Sequence, residues 1–367
     1  MLEPVLYIGI AQSFFAALMI ATKRPKQLSD KVMAAWLFLI GFEMIFSLGK
    51  EYYNQLLAFT FIPFTYGPLM YLYVRFLISG KPHFKWYYWG HFIPFLVFFV
   101  LTFIYRQRQV IVLHDFFRQD AYFALRMVYG LSFIISISVY SFLSFILIGR
   151  HQKRIRDLYS FTSEKITLNW LKGVSISFSV IYLTMFIAGA FNILGHSESY
   201  DPLIFSYAGL TLFAFAFSIY GYKQQEIYDY YNSRPVNQEI EPKYERSGLK
   251  ETDAQKYMDK LLAYMESEKP YLNGELTIHD LSVKLNISRH HLTQVINERL
   301  DKNFYTFINE YRVKEVIHRM KNPAYNNYTL LGIAFDSGFN SKSSFNSIFK
   351  SYTGMTPSQY RVKVISS

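Results

Sequence analysis

The sequence predicts an all-α protein in two parts: a bundle of seven apolar spans, then a smaller set of helices arranged as two hairpins around one long connecting helix. Three observations predict it. Residues before about Tyr222 are far more apolar than those after, so the 367-residue chain joins two unlike halves. Within the first half, apolar stretches of about bilayer length recur again and again. In the second half, apolar residues recur at helical spacing behind Ser and Thr residues suited to start helices.

The spans are expected near Val5 to Thr22, Val32 to Gly49, Leu56 to Ser79, Tyr87 to Tyr105, Tyr122 to Ile148, Trp170 to Leu194 and Pro202 to Tyr222. Each is about long enough to cross a hydrocarbon core of roughly 30 Å as a helix, and buried soluble helices are usually shorter. The first stretch does not read as a signal peptide. Met1-Leu-Glu-Pro4 lacks a basic start, and Lys23, Arg24 and Lys26 follow the apolar run instead.

Short positively charged loops stay in the cytoplasm. Loops one, three and five carry eleven Lys and Arg residues, and loops two, four and six carry four. The expectation is a multi-pass protein of the inner (cytoplasmic) membrane with its N-terminus outside. An odd number of spans then delivers the C-terminal half to the cytoplasm.

Ionisable groups inside a membrane are costly and usually functional, which singles out Glu43 in the second span and Arg126 in the fifth. With Tyr66 in the Pro63-Phe-Thr-Tyr-Gly-Pro68 break and Asn192 in the sixth span, they outline an outward-facing pocket for a small-molecule or peptide signal. The alternative is a structural Glu43–Arg126 pair and simple snorkelling of Arg75 and Arg126.

Residues 223–251 are polar, contain Pro235 and Pro242 and show no sustained period, so they read as a linker. It separates a membrane domain, 1–222, from a C-terminal domain, 252–367. No role follows for Lys243 to Leu249. From Thr252, residues Tyr257, Leu261, Leu262 and Met265 give one apolar helix face ending near Lys269-Pro270. A first hairpin, about 277–298, follows. Thr277 caps a helix bearing Ile278, Leu281 and Leu285, Asn286-Ile287 turns, and Ser288 caps a helix with Leu292, Val295 and Ile296 inward. Asn303 to Met320 makes the long helix, with Phe304, Phe307, Ile308, Tyr311, Val316 and Met320 inward.

The second hairpin, about 329–352, places Leu330, Ile333 and Ala334 on an apolar face, with Gly338 supplying a turn that a side chain would crowd. Phe339 plugs the corner and Ser341 caps the last long helix of the hairpin. Phe345, Ile348, Phe349 and Tyr352 recur inward at helical spacing, and Gly354-Met-Thr-Pro357 ends it.

The pattern Ile-Ala-x-x-x-Gly-Phe-x-Ser-x-Ser-x-Phe-x-x-x-Phe-Lys-x-x-x-Gly-x-Thr-Pro-x-x-Tyr-Arg, ending at Arg361, closely resembles the signature of the AraC/XylS family of transcription regulators. The resemblance covers about Ala254 to Arg361. It implies two helix-turn-helix motifs whose outward helices enter successive major grooves of double-stranded DNA. A connecting helix of about 18 residues spans roughly 27 Å, and the flanking turns bring the motifs about one DNA turn, roughly 34 Å, apart.

Carried over position by position, the resemblance implies base contacts from His290, Thr293 and Gln294 in the first motif, with Arg289 near phosphate. In the second it implies Ser343, Asn346 and Ser347 at bases, with Lys342 and Lys350 near the backbone. The family often has arginine where Gln294 and Ser347 stand, so strong guanine contacts are absent at both places. The whole layout resembles the membrane-bound AraC-type regulators of Bacteroidota.

A net charge of +11 suits nucleic acid or an anionic bilayer equally. The absence of cysteine excludes disulfides, thiolate zinc sites and a cysteine nucleophile. Adjacent His290 and His291 diverge by about 100° on a helix and do not share a metal. No phosphate-cradling glycine loop, Gly-x-Ser-x-Gly or His-Glu-x-x-His occurs, so no enzyme, cofactor or metal is expected. Few arginine contacts per module point to a homodimer. The rival reading is a seven-span receptor or transporter whose tail binds a protein.

Overall fold

A computed structural model describes residues 2–24, 26–49, 61–79, 82–105, 121, 123–162, 164–193, 203–222, 224 and 249–365. The chain divides into two compact units: Met1–Gly149 with Leu168–Ser233, and Arg150–Thr167 with Arg234–Ser367.

The first unit contains α1 (Leu2–Ala21), α2 (Leu28–Gly49), α3 (Tyr66–Ile78), α4 (Ile93–Tyr105) and α5 (Phe123–Leu158) as far as Gly149. After α6 (Glu164–Thr167) of the second unit, it continues with α7 (Asn169–Ile193) and α8 (Leu203–Ala216), the latter running into a π-helical turn, Phe217–Gly221. Its core is a meshwork of aromatic rings. Trp36 packs on Tyr66, Phe178 and Phe217, and Phe64 packs on Phe98, Tyr129 and Phe133.

Large apolar side chains also cover the outside of this unit. Ile8, Phe15 and Leu18 on α1, Leu131, Ile135 and Phe142 on α5, and Ile176, Val180, Leu183 and Ile187 on α7 are all exposed. Among the described residues, five helices are long and apolar enough to cross a membrane: Leu2–Ala21, Leu28–Gly49, Phe61–Ile78, Phe123–Leu158 and Ile204–Gly221. The expected fourth span appears as a shorter apolar helix, Trp86–Leu101, and the expected sixth falls on the 25-residue α7. Seven spans are therefore not established.

Three local findings differ from expectation. The break in the third span is a 3-10 turn over residues 61–65 that runs directly into α3, with the Thr65 hydroxyl donating to Ile62 O at 2.7 Å. Lys23, counted among the basic residues of loop one, is buried there, donating at 3.1 Å both to Asp30 and to Gly221 O. The fifth stretch does not end at Ile148. The helix runs on to Leu158, because Ile155 is buried and Leu158 packs on the core of the second unit.

The second unit adds α9 (Glu251–Ser267), α10 (Ile278–Leu285), α11 (Arg289–Arg299), α12 (Phe304–Lys321), α13 (Leu330–Asp336), α14 (Lys342–Thr353) and α15 (Pro357–Ile365). It has two cores on one shared helix. Leu261, Leu281, Leu292, Ile296, Phe304 and Ile308 centre the first, and Val313, Val316, Ile333, Ala334, Phe345 and Phe349 the second. The N-terminal part of α12 belongs to one core and its C-terminal part to the other.

Candidate nucleic-acid interface

Each motif is held by side-chain caps that satisfy amide donors a helix start leaves open. Thr277 and Asp280 form a reciprocal capping box at α10. Ser288 accepts from His291 N at 3.2 Å, Asn303 from Thr306 N at 2.9 Å and Ser341 from Ser344 N at 3.2 Å. Thr329, a cap that spacing alone did not reveal, accepts from Gly332 N at 3.0 Å. Asn286 makes the first turn at φ +50°, and Gly338 the second at φ +94°. A Cβ at Gly338 would collide with Tyr271 O and lie 2.9 Å from Arg312 Nε, so the turn needs glycine for space as well as for conformation.

The apolar faces turn inward as patterned, with one correction. Phe339, Phe345 and Phe349 are buried, whereas Tyr352 is exposed. It stands in the last turn of α14, two residues before the chain leaves through Gly354 at φ +74°.

On α14, Lys342, Ser343, Asn346, Ser347 and Lys350 are all exposed. They form one open polar face of a helix held from behind by Phe345 and Phe349. On α11, His290 is exposed, while Arg289, Thr293 and Gln294 are half-buried. The Gln294 amide nitrogen donates to Glu298 at 3.0 Å, one turn along. His291 stacks on Tyr257 of α9 with ring centres 5.8 Å apart, which holds it against the fold.

Sequence reasoning missed three polar residues on the inner side of α12: Asn309, Arg312 and Glu315 are buried there. The Arg312 guanidinium donates to Tyr271 O at 2.9 Å and Asn273 O at 2.8 Å, beside the Gly338 turn. Asn340 Nδ2 donates to Gly274 O at 2.8 Å, so the loop before α10 is bonded to both the shared helix and the second turn. Glu315 pairs with Arg319 at 2.8 Å and Lys269 at 3.5 Å.

In the first unit, Glu43 and Tyr66 are brought together: the Tyr66 hydroxyl donates to the Glu43 carboxylate, and both are buried. Arg126 is buried on α5. The Asn192 side chain lies outside the described residues, as do residues 225–248 of the expected linker. Among the described residues, no group of three or more His, Cys, Asp or Glu is arranged to hold a metal ion.

A helix-turn-helix domain family matches residues 281–363. An uncharacterized HTH-type transcriptional regulator of Staphylococcus aureus (strain COL) is 33% identical over 91 residues, 25% of this chain and 12% of that protein. The Msm operon regulatory protein of Streptococcus mutans is 26% identical over 106 residues, 28% of this chain and 37% of that protein. The chain thus spans about an eighth of the length of the first of these relatives. No solved structure matches. Residues 281–363, from α10 into α15, thus make a helix-turn-helix domain of the AraC type, and the relatives matched are regulators of transcription.

Proposed function

We propose that the protein is a membrane-tethered, sequence-specific transcription regulator, in which a membrane domain (1–222) senses a signal and controls a cytoplasmic DNA-binding domain (252–367) through intervening residues that include the linker (223–251). The observation that carries the DNA-binding reading is the open polar face of α14 within a capped helix-turn-helix motif. His290, Thr293, Gln294, Ser343, Asn346 and Ser347 read bases, and Arg289 and Lys342 meet phosphate. Lipid contact is supported by the outward apolar residues of α1, α5 and α7, which recur at helical spacing, as at Ile176, Val180, Leu183 and Ile187.

The packing of residues 150–167 with the helix-turn-helix residues supports the expected topology. That basic loop and the C-terminal domain have to lie on the same side of any membrane, and basic loops remain inside. The signal site of this reading is built around Glu43 and Tyr66, with Arg126 and Asn192 as further members, and the regulator acts as a homodimer.

The test uses the full chain in lipid nanodiscs against fragmented genomic DNA. Selected fragments should bind with an affinity that falls steeply with salt, as phosphate-dominated binding does. Failure of the folded protein to retain any fragment at low salt would favour the rival, a receptor or transporter with a protein-binding tail. For the signal site, Glu43→Gln should abolish the response of a reporter strain with DNA binding intact. A normal response removes the site.

A further inference from the structure

The segment between α5 and α7 is seated in the DNA-binding unit. Leu158 packs on the first core, and Tyr159 forms an antiparallel bridge with Thr277, the α10 cap. Ser160 is fully buried. Its N–H donates to Leu276 O at 3.2 Å and its hydroxyl to the same oxygen at 2.7 Å. Its carbonyl accepts from Asn309 Nδ2 at 3.0 Å and from Arg312 Nη1 at 2.8 Å, and its hydroxyl accepts from Arg312 Nη2 at 2.9 Å. The segment is braced on both sides of this point, because His151 Nε2 meets Ile166 O at 2.9 Å and Gln152 donates to Thr167 O at 2.6 Å.

Arg312 is where the consequence lies. A guanidinium has five N–H donors in a fixed fork. Here they meet Tyr271 O, Asn273 O, Asn309 Oδ1 and the two oxygens of Ser160, all of them neutral. Burial pulls Arg312 down to about 10, which reflects a charge removed from water. Without Ser160, two of its donors and one of the Asn309 amide are left without acceptors, and a buried unsatisfied charge is strongly unfavourable. Ser160, on the segment between α5 and α7, thus completes the polar node that joins the α10 loop, the shared helix α12 and the Gly338 turn.

None of these contacts uses the outward faces of α11 or α14, where His290, Lys342, Ser343, Asn346 and Ser347 stay exposed. Docking is therefore compatible with DNA. The exit from the segment is also constrained. Leu168, fully buried, is held at φ +57°, a conformation that a non-glycine residue rarely takes.

We propose that residues 150–167 are a brace supplied by the membrane half, whose seating on Leu276, Asn309 and Arg312 aligns the two helix-turn-helix motifs for simultaneous DNA contact. Release of the brace is then the switch, and the 223–251 linker is a tether. This rests on the regulator reading given above.

The chain has no cysteine, so an introduced pair is unambiguous. Facing residues of an antiparallel bridge have Cα atoms about 4.5–5.5 Å apart, within disulfide reach. Tyr159→Cys with Thr277→Cys locks the brace on oxidation, and Ser160→Pro removes the Ser160 N–H and hydroxyl and unseats it. Both are made in the full chain in nanodiscs, with a fragment selected by the wild type as probe.

The expected results are wild-type affinity within twofold for the oxidised lock, at least a tenfold loss for Ser160→Pro, and a footprint shortened from two successive grooves to one. Ser160→Thr, which keeps the hydroxyl, should bind as wild type. Equal or tighter binding by Ser160→Pro, or weaker binding by the oxidised than by the reduced lock, overturns the brace. Comparing one locked protein in two redox states keeps the test valid if Ser160→Pro misfolds. A wild type that retains no DNA sinks the regulator reading itself, whereas DNA binding indifferent to the brace sinks only this inference.

Discussion

The two units solve the same problem, stabilising helices, with oppositely patterned surfaces. In the second, α10, α11, α12, α13 and α14 each begin on a residue whose side chain accepts from the helix's own first turn, and their apolar residues turn inward. In the first, the described start of α3 has no side-chain cap bond, and helices such as α1 and α5 are apolar on the outside as well as inside. Water penalises an exposed apolar face but can hydrate an open amide; lipid accepts an outward leucine, and with it a uniform apolarity that removes any readable stripe, and penalises the unsatisfied amide instead. The difference teaches that sequence pattern reports orientation only where the two sides of a helix meet different surroundings.

The largest effect that would sharpen this contrast is Gly338→Val. It forces a branched residue into φ +94° and a side chain into Tyr271 O, so the second unit should lose about 4 kcal/mol or more and become protease-sensitive, with membrane insertion unchanged. Exposed residues should then behave oppositely in the two units. Ile135→Lys should cost about 3 kcal/mol of insertion free energy, read as a loss of correctly inserted protein, whereas Ser343→Lys should leave folding within about 0.5 kcal/mol. Tolerance of Ile135→Lys would mean that this surface meets water and would break the comparison.

Smaller changes probe the caps and charges. Thr277→Ala removes one half of a capping box and should destabilise the second unit by about 1 kcal/mol, lowering its melting midpoint by a few degrees. Lys342→Ala should leave stability alone and reduce the slope of log affinity against log salt by about one. The smallest effect is acid sensitivity at Glu315. Burial works to raise its carboxyl, but the bond from Arg319 and the charge of Lys269 prevail and hold it below its ordinary 4.5. Its contribution is therefore present above about pH 4.5 and lost as pH falls towards the lower folded value, so Glu315→Gln should flatten the acid limb of unfolding.

The second unit was legible because its signals are local. Caps at Thr277, Ser288 and Ser341 and the turn at Gly338 depend on residues a few positions away, and the structure has each where the spacing puts it. Ser160 and Arg312 were not legible, since they lie 152 positions apart and nothing in either neighbourhood announces the other. The extension of α5 past Ile148 escaped for a related reason: its apolar run ends there, and what continues the helix is packing on a core encoded a hundred residues later. The Glu43–Tyr66 contact was half-visible. Cost marked Glu43 as consequential and the pocket reading placed Tyr66 beside it, but nothing in the sequence announced a direct bond from the tyrosine hydroxyl.

The serine caps of α11 and α14 carry one more consequence. Both caps are neutral and neither helix has an acidic residue in its first turn, whereas α10 begins with Asp280. The aligned peptide dipoles leave roughly half a positive charge at such an end, and nothing in the first turn of α11 or α14 neutralises it. An anion arriving there is met by the backbone itself. Removing Arg289 and Lys342 together should thus leave a residual attraction for phosphate that no side-chain substitution on those faces eliminates, and that yields only to an acidic residue placed in the first turn.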